Sequence, residues 1–557
     1  MKRKILSLLL GLIMLLPLCL AACSGGQNED PNDNPPIVTP GDPDDGLYPS
    51  DPNFDALSGF DSTDTSRWGE AKAHDPSVIE ADGKFYVFST DNDGGYGYQV
   101  RTSDDLIHWS FVGFAIENCG TSVSDAKSTY EAGNGGLQEV YEILVEDSEW
   151  GRTSSGTYDP NGTWTLWAPD VVKGSDGKYW LYGCWTAGFG QGHSVIFLCK
   201  ANSVTGPYSF DSILLYSYDG WPTNYSNPNA IDPQIYYVGD RMFMAYGSFS
   251  GGTWTIELDP ETGLRADGLS GNDLLPEGNK TPAERYGERL VNGTVTEGPT
   301  INYHENVAIY PDDVESIRNY DESKLTYEDR YYLMGSANRL SSDYNMRSFV
   351  GTIGEDGLPE FTSYLGDNGN RVSGSFSWKT RRTDRDISFD FFAPGHNDML
   401  TTSDGKNVIV YHNRLTLGSA GNHYLFVSSY AFNSRGDLVI NPNRYAGETL
   451  RTIETEELAD KEFYYVLVDS NNYAELENGG YAQSGLVLNA DNTISLNDEE
   501  AGVWYLYGDY YVYMQLNGTE YYGVAMPAWI QKESAGGITI SLLSKDGADT
   551  LYMNINL

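Results

Sequence analysis

The chain is poor in basic residues: 35 lysines and arginines stand against 79 acidic residues in a length of 557, giving a net charge of −44. A surface this acidic repels nucleic acid and anionic membranes, so both are excluded as binding partners, whereas a neutral ligand is unaffected. Cysteine is also scarce, with five in the chain, and no Cys/His spacing typical of zinc sites occurs in the sequence.

Long hydrophobic runs are lacking apart from one at the N-terminus. A basic start, an apolar run over residues 5–18 and Leu20-Ala21-Ala22-Cys23 predict a signal peptide over residues 1–22, too short for a spanning helix. Its ending resembles the bacterial lipoprotein box, which implies cleavage before Cys23 and lipidation of that thiol; an ordinary signal peptide is the alternative. Residues 23–60 are acidic and proline-rich and are expected to form a tether and lead-in.

The acidic residues that follow Cys23 resemble the surface-export signal of outer-membrane lipoproteins. This implies an outer-membrane lipoprotein at the cell surface, with the periplasmic face as the alternative and the lipid anchor as the sole membrane contact. Beyond the leader, Cys119, Cys184 and Cys199 are too few and odd in number for a closed disulfide framework. Cys184 and Cys199 lie on neighbouring predicted strands, where they either pair or remain buried thiols.

Five units repeat one pattern of a polar residue, an apolar strand, a tight turn and a second strand. The first unit has His74-Asp75-Pro76 before a strand, a turn at Asp82-Gly83-Lys84 and a second strand over 85–89, and the pattern returns near residues 168, 231, 297 and 394. Repeated blocks of short strands predict an all-β, five-bladed propeller, here over residues 61–447. Residues 448–557 contain aromatic strands that lack the polar residue in front, which predicts a second all-β domain, barrel or sandwich.

Acidic residues stand at the heads of three of the predicted innermost strands: Asp75, Asp232 and Glu297. Because the first strand of each blade lines the axis, these carboxyls are expected to meet at one end of the channel. One protonated and one ionised carboxyl are what glycoside hydrolysis requires, and a third acid raises the pKa of the proton donor. The alternative is that Asp-Pro and Glu-Gly-Pro merely begin strands.

Together with Trp167-Ala168-Pro169-Asp170 and Pro394-Gly395-His396-Asn397, these motifs resemble glycoside hydrolase family 43 over about residues 70–440. The resemblance implies a five-bladed propeller and an inverting mechanism, with Asp75 as general base, Glu297 as general acid and Asp232 as pKa modulator. It also implies that His396 helps to hold an axial calcium ion, the alternative being a histidine that is hydrogen-bonded in the channel.

The substrate is indicated by residues and segments near these acids. Trp167, Trp185 and Phe249 are candidates for stacking on a sugar face, and Asn229 for hydrogen bonding to substrate. The stretches 229–233, 246–252 and 256–263 resemble the α-1,5-L-arabinanases of the family, which implies arabinan or a related plant polysaccharide as the substrate. We expect a monomeric, endo-acting enzyme. The alternatives are an exo-acting α-L-arabinofuranosidase or β-xylosidase, or a surface glycan-binding lipoprotein without turnover.

Overall fold

The computed structural model describes most of the chain from residue 73 onward. The described residues are 73–90, 97–116, 137, 140, 165–186, 194–217, 227–249, 251–274, 280–292, 296–340, 342–379, 390–414, 423–468 and 480–557. The predicted leader and tether, including Cys23, and Cys119 lie outside them. Cys184 and Cys199 are both buried thiols, as one of the two alternatives had it.

Five antiparallel sheets follow one another along the chain, each built from consecutive strands. Blade 1 comprises β1 (Ser77–Ala81), β2 (Lys84–Ser89), β3 (Gln99–Ser103) and β4 (Ser110–Phe114). Blade 2 comprises β5 (Thr165–Lys173), β6 (Tyr179–Thr186), β7 (Ser194–Ala201) and β8 (Ser209–Ser217). Blade 3 comprises β9 (Gln234–Val238), β10 (Arg241–Tyr246), β11 (Thr253–Leu258) and β12 (Glu288–Val291).

The last two blades each carry a fifth strand. Blade 4 comprises β13 (Glu297–Ile309), β14 (Thr326–Ala337), β15 (Asn345–Ile353), β16 (Pro359–Thr362) and β17 (Asn370–Ser373), the last paired with β15. Blade 5 comprises β18 (Phe376–Ser377), β19 (Asp390–Thr401), β20 (Asn407–Arg414), β21 (Tyr424–Phe432) and β22 (Leu438–Ile440). The innermost strands β1, β5, β9, β13 and β19 contact one another in this order, and β19 contacts β1, so the ring closes.

The C-terminal strands form a closed eight-stranded barrel. They are β23 (Lys461–Val468), β24 (Gln483–Leu488), β25 (Thr493–Leu496), β26 (Glu499–Tyr507), β27 (Tyr511–Leu516), β28 (Thr519–Ile530), β29 (Ala535–Ser544) and β30 (Thr550–Ile555). The helices of the described residues are short: α1 (Pro282–Tyr286), α2 (Val314–Arg318), α3 (Thr455–Leu458), and 3₁₀ turns at Gly271–Leu274, Glu322–Lys324 and Gly366–Asn368. The predicted five-bladed propeller and the all-β C-terminal domain are therefore both confirmed.

The hydrophobic core is divided among the spaces between neighbouring blades. For example, Val87 of blade 1 packs with Val408, Val410 and Val427 of blade 5, and similar clusters fill the other four junctions. A single blade could not bury both of its faces, so closure of the ring supplies the core. A separate apolar cluster fills the barrel.

Side-chain hydrogen bonds join the innermost strands across three blade junctions. Ser77 Oγ donates to Asp170 Oδ1 at 2.8 Å, and the Ile235 amide donates to Asp170 Oδ2 at 2.7 Å, which ties blade 2 to blades 1 and 3. The Ile301 amide donates to Gln234 Oε1 at 3.0 Å and ties blade 4 to blade 3. These bonds satisfy backbone groups that would otherwise be buried without a partner.

Asp398 completes the circle from blade 5. Its Oδ1 accepts a hydrogen bond from Thr300 Oγ1 of blade 4 at 3.0 Å, and its Oδ2 accepts one from the Val78 amide of blade 1 at 2.8 Å. All five junctions are thus bridged by one set of axis-facing residues. We call these residues the axial ring: Ser77, Asp170, Gln234, Thr300 and Asp398.

The barrel packs against blades 4 and 5 within one compact unit. The Tyr552 hydroxyl of the barrel donates to the Val372 carbonyl at 2.7 Å, and the amides of Asn443 and Asn554 bond each other reciprocally at 2.9 and 2.8 Å. Among the described residues, no helix is long and apolar enough to cross a membrane.

Candidate active site

The heads of the five innermost strands share one unusual backbone conformation. The φ angle is 51° at Asp75, 35° at Ala168, 57° at Asp232, 55° at Gly298 and 43° at His396. Non-glycine residues seldom adopt this left-handed region, and such strain concentrates at functional sites. The repeated motifs of the sequence therefore encode a turn that brings five heads to one end of the axis, two residues above the axial ring.

Asp75 lies at the head of β1 within a group of histidines. Its Oδ1 lies 3.0 Å from His396 Nδ1, 3.2 Å from His74 Nε2 and 3.6 Å from His412 Nδ1. Its Oδ2 accepts a hydrogen bond from Thr90 Oγ1 at 2.6 Å. Burial alone would raise the pKa of Asp75, but the positive charges of His396 and His74 outweigh it and hold the pKa well below its usual value. Asp75 is therefore ionised at neutral pH.

Asp232, two residues before β9, is 5% exposed. Its Oδ2 accepts a hydrogen bond from the Gly298 amide at 3.1 Å, which links the heads of blades 3 and 4. Burial raises the pKa of Asp232 to about 6; the charge of His396 opposes the increase and that of Asp75 adds to it.

Glu297 begins β13 and is partly buried. The Tyr344 hydroxyl donates to its Oε1, and Ser248 Oγ donates to its Oε2 at 3.1 Å. Burial and then the negative charge of Asp232 raise the pKa of Glu297 to about 8. At neutral pH, Glu297 therefore carries a proton while Asp75 does not.

The Glu-Gly-Pro motif requires its glycine for a steric reason. A Cβ at Gly298 would lie 2.9 Å from the ring of His396, in addition to the positive φ at this position. Glycine is the residue that combines this conformation with so close an approach.

His396 lies at a bulge in β19, among the three acids. Its amide donates to Ser336 Oγ at 2.7 Å, and its Nδ1 contacts Asp75 as described. Burial would lower the pKa of His396, but the charges of Asp75 and Asp232 overcome this and raise it to about 9. The imidazole is therefore a cation that neutralises part of the acid cluster.

The donor atoms around His396 also fit the calcium ion that the sequence resemblance implies. A cavity of about 20 Å³ on the axis is lined by Asp75, Asp232, Asp398 and Asn397. Neither amide atom of buried Asn397 has a hydrogen-bond partner among the described residues. An oxygen-rich setting with an unsatisfied carbonyl is what calcium prefers.

The four residues predicted to bind substrate lie in different environments. Trp167 on β5 and Phe249 are partly buried, whereas Trp185 is 2% exposed and packs in the core between blades 1 and 2. A ring so buried offers no free face to a sugar in this conformation. Asn229 is partly buried, and its Oδ1 accepts hydrogen bonds from Ser194 and Ser217 at 3.0 and 3.2 Å.

Several residues that contact the acids were not found from the sequence. Thr90, Ser248, Tyr344 and His412 follow or lie on second and third strands of their blades, outside the repeated head motif. No local pattern marks them: Thr90 and Tyr344 reach the acids through pairing within their own blades, and Ser248 and His412 reach them only when neighbouring blades close on one another. His74 could have been found, since it directly precedes Asp75.

A large groove of the described surface lies elsewhere. A groove of about 1090 Å³ runs between blades 4 and 5 and the barrel, and its lining includes Tyr327, Tyr430 and Tyr510 but none of the strand heads. The chemistry is therefore located by the perturbed carboxyls and not by cavity size.

Known proteins resemble this chain in sequence and in fold. The family model described as "Glycosyl hydrolases family 43" matches residues 142–310, and a second model, a "C-terminal lipocalin-like domain", matches residues 442–551. The first range contains Asp232 and Glu297, whereas Asp75 and His396 lie outside it.

Two curated relatives align over most of their length. "Extracellular endo-alpha-(1->5)-L-arabinanase 2" of Bacillus subtilis is 27% identical over 86% of this chain and 92% of its own. "Extracellular endo-alpha-(1->5)-L-arabinanase" of Thermotoga petrophila is 28% identical over 88% of this chain and 96% of its own. A crystal structure of an endo-1,5-alpha-L-arabinanase from Thermotoga petrophila RKU-1 superposes with a TM-score of 0.63 at 24% identity, covering 88% of this chain and 99% of that one, which supports the fold.

Proposed function

The chain belongs to glycosyl hydrolase family 43, and from this premise we propose that it hydrolyses α-1,5-L-arabinan by an inverting general acid/base mechanism, cutting internal bonds. The observation that carries the proposal is the meeting of the strand heads: Asp75 contacts His396, and Asp232 accepts from the amide of Gly298, the residue after Glu297. In this setting the pKa of Asp75 is lowered and that of Glu297 is raised to about 8. Two carboxyls in opposite states are what acid/base cleavage of a glycosidic bond requires.

In this mechanism Asp75 removes a proton from a water molecule as the water attacks the anomeric carbon. Glu297 donates its proton to the departing glycosidic oxygen, so each turnover leaves Asp75 protonated and Glu297 ionised until protons are exchanged with solvent. Attack from the face opposite the leaving group inverts the anomeric centre, for which the two carboxyl groups need to be roughly 6.5–9.5 Å apart. Asp232 does not react; its charge keeps the pKa of Glu297 high.

The positive charge of His396 keeps Asp75 ionised. Calcium in the axial cavity is part of the proposal: Asn397 and Asp232 would hold it, and His396 would join them only as the neutral imidazole, in which case the ion would supply the positive charge beside the acids. Dialysis against a calcium chelator is expected to reduce activity, and calcium is expected to restore it better than magnesium does. Full activity in chelated, metal-free protein would remove the ion from the proposal.

A neutral polysaccharide suits the charge of this protein. Arabinan carries no charge, so the net charge of −44 does not repel it. The relatives named above as endo-acting arabinanases support both the substrate and the cleavage of internal bonds.

The test is the product profile on linear α-1,5-arabinan, followed by chromatography from the first minutes. Endo cleavage is expected to give a ladder of oligosaccharides early. Monosaccharide alone would favour exo action, and activity confined to aryl β-xylosides would favour the xylosidase alternative. Binding of arabinan without any hydrolysis would favour a glycan-binding lipoprotein.

We further propose that the protein acts outside the cytoplasm as a monomer anchored through lipidated Cys23. The leader pattern and the extracellular relatives support this placement. Mass spectrometry of the mature N-terminal peptide should find a diacylglyceryl group on Cys23, and Cys23→Ala should release the protein from membranes. An unmodified N-terminus at another residue would contradict the anchor.

A further inference from the structure

Three histidines meet where the first blade joins the last. His74 precedes β1, His412 lies on β20 and His423 precedes β21. Their ring centroids are 4.0 Å apart for His74 and His423, 4.5 Å for His412 and His423, and 5.0 Å for His74 and His412. One nitrogen of each ring lies within 4.8 Å of the others. We call these three residues the histidine cluster; it contains three of the seven histidines of the chain and joins the first blade to the last.

Two members of the histidine cluster are buried with unsatisfied nitrogens. His412 is 0% exposed and His423 is 3% exposed. Neither His412 Nε2 nor either ring nitrogen of His423 has a hydrogen-bond partner among the described residues. Buried polar atoms in this state are unfavourable and call for a missing partner. The neutral imidazole is the form that binds metal ions, so His74, whose positive charge acts on Asp75 in the metal-free protein, gives up its proton when the ion binds.

We propose that His74, His412 and His423 bind a transition-metal ion of the Zn²⁺ class, which joins blade 1 to blade 5. Imidazole nitrogens suit zinc and its first-row neighbours, whereas calcium and magnesium prefer oxygen. The site therefore differs in ligand chemistry from the axial cavity beside His396. The inference does not depend on which glycan the protein cleaves.

Asp75 is placed to act on this metal site indirectly. Its backbone amide donates to His412 Nδ1 at 3.3 Å and its Oδ1 lies 3.6 Å from the same nitrogen, so a metal at Nε2 would move the ring proton to Nδ1 and exchange the amide bond for one to the carboxylate. Carboxylates commonly orient metal-binding histidines in this way. The metal in turn fixes the position of Asp75 without taking part in bond cleavage.

Metal binding requires small movements of the rings. Three nitrogens around one zinc ion at about 2.0–2.1 Å lie roughly 3.4 Å apart, which is inside the 4.8 Å limit on their present spacing. The rings of His74 and His423 are nearly parallel, at 8°, so one of them turns when both bind a single ion. The strands are already held together, since the Ala73 amide donates to the His423 carbonyl at 3.1 Å.

The test uses the full mature chain without a histidine tag, stripped with a chelator and then titrated with Co²⁺ or Zn²⁺. We expect one ion per chain by elemental analysis, and a visible Co²⁺ spectrum of a nitrogen-ligated, low-coordinate site. Zn²⁺ should raise Tm by several degrees. His423→Ala should weaken binding about a hundredfold or more and abolish this increase in Tm, whereas His108→Ala, which removes an exposed histidine outside the cluster, should change neither.

The wild-type measurement alone can overturn the proposal. If stripped protein takes up no Co²⁺ or Zn²⁺ at sub-millimolar concentration, the cluster is not a metal site, whether or not the variant folds. Uptake that is equal in His423→Ala and in wild type would place the ion elsewhere. Ca²⁺ in place of Zn²⁺ should change Tm by the same amount in His423→Ala and in wild type, because calcium would bind in the axial cavity and not at the histidine cluster.

Discussion

The strand heads and the axial ring lie about two residues apart on the same five strands, and both contain buried carboxyls. In the axial ring, the oxygens of Asp170 and Asp398 accept hydrogen bonds from amides and hydroxyls of neighbouring blades. At the heads, Asp75 faces mainly histidine rings, and Glu297 accepts from two hydroxyls. Both groups are buried carboxyls, so residue type and burial do not distinguish them. Their hydrogen-bond partners do: the acids of the axial ring bind neighbouring blades, whereas the acids at the heads can exchange protons.

Electrostatics reinforce the contrast. Burial and then the charge of Asp398 raise the pKa of Asp170 to about 7, but its oxygens are committed to interblade bonds. At the heads, burial would raise the pKa of Asp75 but the charges of His396 and His74 hold it down, whereas burial and then the charge of Asp232 raise the pKa of Glu297. Such divergence within one pocket marks a site of acid/base chemistry.

The largest effect is expected at Asp75. Asp75→Asn removes the base that activates water, so kcat on arabinan should fall by about 10³–10⁴-fold while arabinan binding persists. Turnover and affinity electrophoresis on the polysaccharide measure the two effects. Activity within tenfold of wild type would break the assignment of the heads to catalysis.

Glu297→Gln comes next, because its effect depends on the leaving group. Without a proton donor, hydrolysis of arabinan should slow by about 10²–10³-fold. An aryl α-L-arabinofuranoside with an acidic phenol needs less assistance, so if the protein accepts it as a substrate the loss should be much smaller. Equal losses on both substrates would argue against Glu297 as the acid.

A smaller change is expected in the pH profile. Since Glu297 must be protonated, kcat/KM should decline as pH rises through about 8. Asp232→Asn removes the negative charge that helps to raise the pKa of Glu297, so this alkaline decline should move to lower pH. An unchanged alkaline limb in the variant would show that Asp232 does not set the protonation of Glu297.

The smallest effect on turnover is expected in the axial ring. Asp398→Asn replaces an oxygen that accepts from Val78 by an amide nitrogen, and should destabilise the fold by about 2–3 kcal/mol while leaving kcat within a few-fold at 25 °C. A thermal scan at fixed rate should show a lowered Tm. Asp240→Asn, a change in an exposed turn, serves as the control and should show none. A large loss of kcat without loss of stability would contradict the view that the axial ring stabilises the fold while the strand heads catalyse the reaction.

The sequence by itself determined the repeating architecture. Asp75-Pro76, Asp232-Pro233 and Glu297-Gly298-Pro299 encode a local turn before an apolar strand, and local conformation can be read from neighbouring residues. The number of blades follows from the same periodicity, and its loss after about residue 448 indicates a second all-β domain, whereas the structure decides that this domain is a barrel and not a sandwich.

Only the tertiary structure decided what surrounds these heads. Tyr344 reaches Glu297, and His412 reaches Asp75 from 337 residues away, and neither carries a motif. Trp185, chosen from the sequence as a sugar contact, lies in the core because its strand is covered on both faces. Charge and desolvation act through space, so pKa values depend on distances between segments far apart in the chain, which a local pattern does not contain.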